Sequence, residues 1–288
     1  MITEELLNEI LLWAPAFLLI AARALAIIET APLLSSDAIP QAAKISLAAL
    51  AAFAVLPRGI DPSPGFMDSY PMFRLDPVVL NPLGLYFFLL LIGEAVIGVI
   101  TGFFITIIFS AFSTAGQFFS LQMGFGASET FDPLSQIENP LMGQYLNLVA
   151  MLVFLIAGGF QELFLGGFWR SVQSLSIASL AAGREQVLGM LLMGLSRLFL
   201  DAIIISMPIL GTLFLTSLAT GLISKAAPQI NILSEGFPVS ITVAFLLIFT
   251  SLPYMMEAFS RVIDAGFSSF QDLLVQVGEQ IADVGINP

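Results

Sequence analysis

The feature that most constrains this chain is a series of apolar segments that recur along almost its whole length of 288 residues. Only 10% of the residues are charged and the mean hydropathy is +0.97, whereas soluble domains average about 25% charged residues. A membrane-spanning helix needs about 20 consecutive apolar residues. The pattern therefore predicts an all-α integral membrane protein with about six long helices, at approximately residues 10–34, 42–56, 83–113, 141–168, 187–223 and 238–259.

Prolines interrupt several of these segments, namely Pro15, Pro32, Pro208 and Pro253. Proline removes a backbone donor and kinks a helix, and lipid tolerates this only where neighbouring groups satisfy the freed carbonyl. The second segment is also short for a span, and the third and fifth are long. We therefore expect partly kinked helices packed inside an assembly, with an ordinary kinked six-helix protein as the alternative.

The composition excludes most catalytic chemistry. The chain has no Cys and no His, so it lacks thiolate nucleophiles, the usual proton shuttle and the commonest metal ligand. We expect neither a cofactor nor a bound metal. The net charge of −12 argues against binding to nucleic acid or to an anionic lipid surface. The acidic start, MITEELLNE, lacks the basic region of a secretory signal peptide, so we expect it to be mature sequence.

Five charged residues fall within otherwise apolar segments: Arg23, Glu29, Glu94, Arg197 and Asp201. A charge at the bilayer centre costs at least about 2.5–3.5 kcal/mol, so such residues pair or face a wet cavity. Arg197 and Asp201 lie four positions apart and are predicted to pair on one helix face. Glu94 has no such neighbour, which leaves open a partner on another helix, a partner on another subunit, or water in a lumen.

The region Gly116–Tyr145 separates two apolar segments and is predicted to be a long loop. Its aromatic and Met side chains suit a seal, because hydrophobic constrictions exclude water and Met adapts its shape easily. Its glycines would let the backbone move. Packing of these side chains against neighbouring helices is the alternative. The residues concerned are Phe118, Phe119, Met123, Phe125 and Phe131, with Gly116, Gly124 and Gly126.

Glycines at helical spacing predict two further local features. Gly98 and Gly102 lie four positions apart, and small residues at this spacing let membrane helices approach closely, although the signal is weak. Gly158-Gly159 and Gly166-Gly167 are predicted to mark bends or helix ends.

Three stretches of the sequence resemble the FliR family, called SctT in injectisomes. They are GQFFSLQMGFGASETFDPLSQIENPLMGQYLNL from Gly116, GLISKAAPQINILSEGFPVSI from Gly221, and ARALAIIETAPLLSSDAIPQAAKISLAALAAFAVLP from Ala22. Members of this family are export-gate subunits of flagellar and related type III secretion systems. The resemblance covers nearly the full chain in order, and its main departures are the acidic balance of the chain and the acidic tail, IADVGINP.

The resemblance implies a subunit of a hetero-oligomeric, helical export gate in the bacterial inner membrane, at the flagellar basal body. Several copies of FliP and FliQ would complete its channel, through which unfolded flagellar polypeptides pass. The loop at residues 116–140 would help to plug that channel. The implied plug residues are Phe118, Phe119, Met123, Gly124, Phe125, Gly126 and Phe131.

The resemblance also implies a division of the chain. Residues 1–186 would be a FliP-like half, 187–263 a FliQ-like helical hairpin and 264–288 an amphipathic tail. The hairpin loop would face the cytoplasm and contact FlhB through Gln229, Asn231, Phe237 and Pro238. This topology places Arg58, Arg74, Arg170 and Arg184 outside, whereas the positive-inside rule prefers the reverse.

Other functions remain open from the sequence alone. An injectisome gate subunit fits the same motifs. A small-solute transporter would explain the broken helices and the intramembrane charges, although no convincing repeat is present. A membrane scaffold without a channel would need no sealing residues, and an intramembrane enzyme would lack a compact acid–base pair.

Overall fold

The computed structural model describes residues 2–56, 85–124, 141–175, 180, 183–227 and 232–283. Helices account for nearly all of these residues and no strand occurs among them, which confirms the all-α prediction. The helices are α1 (Ile2–Thr30), α2 (Gln41–Val55), α3 (Leu85–Met123), α4 (Leu141–Ile156), α5 (Gly159–Gln161), the π-helix π1 (Glu162–Trp169), α6 (Arg170–Ser174), α7 (Arg184–Ala226) and α8 (Ile232–Asp283).

Three of the described helical stretches are long and apolar enough to cross a membrane: Phe87–Met123, Arg184–Ala226 and Gly236–Asp272. A fourth crossing is possible if α4 and Gly159–Ser174, which are bent by 82° relative to each other, form one broken span. The 15-residue α2 is shorter than a span, as predicted. The six apolar segments thus correspond to α1, α2, α3, the bent α4–α6 segment, α7 and α8.

The loop predicted for Gly116–Tyr145 is wrong at both ends. Helix α3 continues to Met123, and α4 already begins at Leu141. Residues 117–123 contain no Pro and no Gly, so nothing in them stops a helix that has already formed. The connection between α3 and α4 therefore shrinks to residues 124–140.

The chain packs as two compact units. Unit 1 comprises residues 1–106, 158–193 and 266–288, and unit 2 comprises residues 107–157 and 194–265. These units describe packing, whereas the predicted division at residue 186 describes sequence resemblance. Helix α8 also continues as far as Asp283, into the predicted tail.

In unit 1, α1 and α3 run parallel in close contact. Leu19 packs in an apolar cluster with Phe87 and Leu90, and further along the two helices the Thr106 hydroxyl donates to the Thr30 carbonyl at 2.8 Å. The spacing at Gly98 and Gly102 permits this approach. A Cβ on Gly98 would lie 2.5 Å from the Arg23 carbonyl oxygen, and one on Gly102 would overlap the Thr30 hydroxyl.

In unit 2, the second half of α3 packs antiparallel to α4 and to α8. The rings of Phe109 and Phe154 lie edge to face at 5.3 Å, and those of Phe112 and Phe259 lie 4.5 Å apart. Aromatic pairs of this kind stabilise packing beyond the area they bury. These contacts fix the two helix ends between which residues 124–140 run.

Candidate functional site

The most concentrated polar site in unit 1 is built around Arg23, whose side chain is fully buried. Its Nε donates to Glu94 Oε2 at 2.7 Å, and its Nη2 also lies 2.5 Å from that oxygen. Nη2 donates to the Leu175 carbonyl at 2.9 Å, and Nη1 donates to the Ser171 carbonyl. One planar guanidinium thus joins α1 to α3 and to the end of α6.

The backbone that Arg23 reaches is unusual. Gly158, after the end of α4, has a φ of +80°, which glycine adopts at little cost, and the chain bends there by 82°. The chain then returns through α5, π1 and α6. The Ser171 carbonyl also accepts from the Leu175 N–H at 2.9 Å, and a cation interacts favourably with carbonyls at the end of a helix. Gly158-Gly159 therefore marks a bend as predicted, whereas Gly166-Gly167 lie inside π1.

Glu94 thus has a partner on another helix of the same chain, and its side chain is only 3% exposed. Sequence reasoning named Arg23 and Glu94 separately and did not pair them. The signal for the pair was the glycine at position 98, because Gly98 contacts the Arg23 carbonyl and places the two helices in register.

Glu29 is the acceptor in a second polar cluster, which lies at the turn between α1 and α2. Its Oε2 accepts from Lys44 Nζ at 3.0 Å and its Oε1 accepts from Gln41 Nε2 at 2.6 Å. Lys44 Nζ also donates to the Ser35 carbonyl at 3.2 Å. The nearly buried ammonium group is therefore paired and hydrogen-bonded, which fixes the hairpin formed by the first two helices.

Arg197 and Asp201 form the predicted pair on α7, with Arg197 Nε lying 3.6 Å from Asp201 Oδ2. The Arg197 side chain is 47% exposed and that of Asp201 is 18% exposed. This pair is local to one helix face, unlike the pair at Arg23.

The residues predicted to form the plug do not share one environment. Phe119 and Met123 are fully buried within the described chain, on the last two turns of α3. Phe118 is partly buried on the same helix. Phe125, Gly126 and Phe131 lie outside the described residues. Within the predicted plug, Phe119 and Met123 are therefore core residues of a helix, and Phe118 on the same helix is not.

Gly116 does not supply backbone freedom, because it lies within α3. A Cβ on Gly116 would lie 2.5 Å from the Met142 carbonyl oxygen and 2.6 Å from Gly143 Cα. In turn, a Cβ on Gly143 would lie 2.9 Å from the Ser113 carbonyl oxygen. These two glycines let α3 and α4 touch backbone to backbone, just before the chain enters the 124–140 connection.

Gly124 joins the two sequence motifs. It ends α3 with a φ of +88°, which is a common role for glycine after a helix, and its N–H donates to the Leu121 carbonyl at 3.1 Å. A Cβ at this position would overlap the ring of Phe237. Phe237 and Pro238, near the start of α8, are themselves exposed, and Gln229 and Asn231 lie outside the described residues.

This arrangement defines a class of protein: a helical membrane protein whose polar groups hold a broken helix and a short hairpin in place. Among the described residues, no group of three acidic side chains could hold a metal ion. The sequence matches the family described as bacterial export proteins, family 1, over residues 14–266.

Individual relatives agree with the family match. The flagellar biosynthetic protein FliR of Borreliella burgdorferi is 34% identical over 66% of this chain and 71% of its own length. The flagellar biosynthetic protein FliR of Bacillus subtilis is 27% identical over 94% of this chain and 99% of its own length. The surface presentation of antigens protein SpaR of Shigella flexneri is 26% identical over 56% of this chain and 62% of its own length.

The chain belongs to the bacterial export proteins, family 1, which confirms the resemblance to the FliR family. It is therefore a membrane-embedded export component of the flagellar type rather than an enzyme.

Proposed function

We propose that this chain forms, with FliP and FliQ, the channel of a flagellar type III export gate in the bacterial inner membrane. The 124–140 connection contributes to its plug, and the hairpin tip between α7 and α8 contacts FlhB. The similarity to FliR proteins over almost the full chain supports the flagellar assignment. The shorter match to SpaR supports an injectisome gate as the second candidate.

The observation that carries the proposal is the contact between Gly124 and Phe237. The connection that would form the plug leaves α3 at Gly124, in a backbone conformation that favours glycine. The Phe237 ring lies against that glycine and belongs to the motif expected to contact FlhB. A movement of the hairpin tip would therefore act directly on the first residue of the plug connection.

The burial of the predicted plug residues supports different roles for them within the proposed plug. Phe119 and Met123 are fully buried, so in the proposed gate they anchor the base of the plug. The seal itself is assigned to Phe118, Phe125 and Phe131, with Gly126 allowing displacement. This division distinguishes loss of the seal from loss of the fold.

The seal is tested in gates assembled with FliP and FliQ. Phe125→Ser combined with Phe131→Ser should leave assembly unchanged and raise ion conductance, because a polar constriction no longer excludes water. Phe119→Ser should instead reduce the yield of folded subunit, because truncating a buried aromatic costs about 3–5 kcal/mol.

Gly124→Ala is the companion variant, because the added Cβ meets the Phe237 ring and disfavours the positive φ. Gly221→Ala is its matched control, since nothing lies within 4 Å of a Cβ at Gly221.

Wild-type conductance in an assembled gate carrying the Phe125 and Phe131 changes would rule out the seal.

The partner assignment is tested with a single thiol, because the chain has no Cys. Val239→Cys, at an exposed position near the hairpin tip, should crosslink to FlhB in the assembled gate. Phe249→Cys, exposed farther along α8, should not. Equal crosslinking at both positions would refute a contact confined to the tip.

A further inference from the structure

Helices α7 and α8 each contain a serine that is followed two residues later by a proline. The motifs are Ser206-Met-Pro208 in α7 and Ser251-Leu-Pro253 in α8, and each lies inside an uninterrupted helix. Pro208 lies 18 residues before the end of α7, and Pro253 lies 21 residues after the start of α8. At 1.5 Å per residue the two prolines are roughly 27 and 32 Å from the hairpin tip, so their depths differ by about one helical turn.

Each proline removes one backbone hydrogen bond from its helix. Its ring carries no N–H, so the carbonyl four residues earlier, at Ile204 or Phe249, loses its helical donor. Both prolines lie on the exposed side of their helices. The serine two positions earlier lies on the opposite side, because two residues correspond to a rotation of about 200°. Each helix can therefore bend at the missing bond, with the proline on its convex side.

The serine hydroxyls bond back to the same turns. Ser206 Oγ donates to the Ile203 carbonyl at 3.1 Å, and Ser251 Oγ donates to the Leu247 carbonyl at 2.6 Å. Ser206 is fully buried and Ser251 is partly buried. A hydroxyl that bonds to a carbonyl of the preceding turn weakens and bends a helix slightly. Each motif thus combines two features that soften a helix at one turn.

The chain is packed more loosely on the tip side of the two motifs. Every residue from 214 to 226 in α7 is at least partly exposed. Of residues 236–252 in α8, three are buried, namely Ser240, Ala244 and Ile248. On the other side of the motifs, Ala202 and Phe259 are completely buried. A segment with few buried contacts moves at a lower cost in free energy than one enclosed by a core.

We propose that the two Ser-x-Pro motifs form one hinge, about which residues 209–252 swing relative to the remainder of unit 2. Phe237 belongs to the moving part, and its ring lies against Gly124 at the start of the plug connection. The swing therefore removes Phe237 from Gly124 or returns it. This inference rests on the proposed function, because it supplies the movement by which the hairpin tip acts on the plug.

Distances between paired spin labels test the hinge in gates assembled with Cys-free FliP and FliQ. The chain has no Cys, so each label pair needs two introduced cysteines. Leu152→Cys on α4 is the reference, Leu222→Cys reports the moving part, and Arg261→Cys reports α8 beyond the hinge. All three side chains are exposed. Each gate is measured empty and with an export polypeptide that is stalled by a folded domain fused to one end.

Stalling should change the distance from Leu152 to Leu222 by roughly 7 Å, because a change of about 20° in the bend acts over the roughly 21 Å between Pro208 and position 222. The distance from Leu152 to Arg261 should stay unchanged. In Pro208→Ala combined with Pro253→Ala, alanine restores both backbone hydrogen bonds. The distance to Leu222 should then no longer respond, and export should fall several-fold.

Pro15→Ala is the matched control, because it restores a backbone hydrogen bond in α1 of unit 1. It should leave the response at Leu222 as it is in the wild-type gate. If the double alanine variant fails to assemble, each single variant replaces it and should reduce the response.

A gate that holds the stalled polypeptide while the distance to Leu222 stays constant would contradict the hinge alone. A normal response in the alanine variants would also overturn it, since the movement would not depend on the prolines. A gate that fails to hold the polypeptide would contradict the proposed function and, with it, this inference.

Discussion

Unit 1 and unit 2 each hold a charged pair inside an apolar helix, and they do so in opposite ways. Arg23 reaches a carboxylate 71 residues away and two carbonyls still farther along the chain, with no exposure. Arg197 reaches a carboxylate four residues away on its own helix and remains half exposed. The first pair connects three elements, whereas the second joins two positions four residues apart on one helix.

The difference lies in what each charge would lose without its partner. Removing one member of a buried pair leaves an uncompensated charge that water cannot reach. Removing Arg197 leaves the Asp201 carboxylate, whose side chain is still 18% exposed, so the expected loss is smaller. The two arginine–carboxylate pairs, both within apolar helices, are therefore expected to differ several-fold in their contribution to the free energy of unfolding.

The largest effect is expected for Arg23→Ala. It removes the guanidinium that pairs with the buried Glu94 carboxylate and donates to the Ser171 and Leu175 carbonyls, which costs about 3–5 kcal/mol. The measurement is the free energy of unfolding in detergent, together with protease cleavage within residues 159–175, which should increase because the end of α6 is released. A loss below 1 kcal/mol would show that the guanidinium does not hold this segment.

Exchanging the charges sharpens the comparison. Arg23→Glu with Glu94→Arg should not restore stability, because a carboxylate at position 23 cannot donate to the Ser171 and Leu175 carbonyls. Arg197→Asp with Asp201→Arg should be tolerated, since an acidic residue four positions before a basic one is the better order on a helix. Rescue by the first exchange would reduce the Arg23 site to a simple ion pair.

An intermediate effect is expected at the α3–α4 contact. Gly116→Ala would place a methyl group 2.5 Å from a backbone oxygen, and such overpacking costs about 1–3 kcal/mol. Gly211→Ala is the control, because nothing lies within 4 Å of its Cβ and alanine favours a helix by about 0.5–1 kcal/mol. Thermal unfolding of both variants should shift in opposite directions.

The smallest effect is expected for Arg197→Ala. Pairs of this spacing and exposure contribute about 0.3–0.5 kcal/mol, so the free energy of unfolding should change by no more than that. A loss comparable to that of Arg23→Ala would show that Arg197 makes buried contacts in the folded chain. The contrast between the two units would then disappear.

Hydrophobic runs were sufficient to predict the helices, because each run must bury or embed an apolar face whatever its neighbours are. They were not sufficient to end α3, since residues 117–123 carry no stop signal and the stop comes from Gly124 and its contact with Phe237. The pair of Arg23 with Glu94 could not be predicted from spacing along one helix. Arg23, Glu94 and the two carbonyls that Arg23 contacts come from α1, α3 and the end of α6, which only the folded chain brings together.

The roles of the glycines show the same limit. Their positions were visible in the sequence, but a glycine that permits movement and a glycine that permits contact look identical there. Gly116 was predicted to permit movement of the backbone, and in the structure it permits close contact between α3 and α4. Only the position of Met142 and Gly143 against it decides the matter.

The buried guanidinium also imposes an order in time. The ribosome completes Arg23 71 residues before Glu94 and 152 residues before Leu175. At about 5–20 residues per second, Arg23 waits roughly 4–14 s for its carboxylate and roughly 8–30 s for the last of its carbonyls. Protease protection of α1 in ribosome-arrested chains should therefore rise in steps, first as α2 and α3 emerge and last when the arrest point passes residue 175 and its exit from the ribosome. The hydrogen bonds of Arg23 are thus completed in two stages, and the later stage waits until the middle of the chain has been translated.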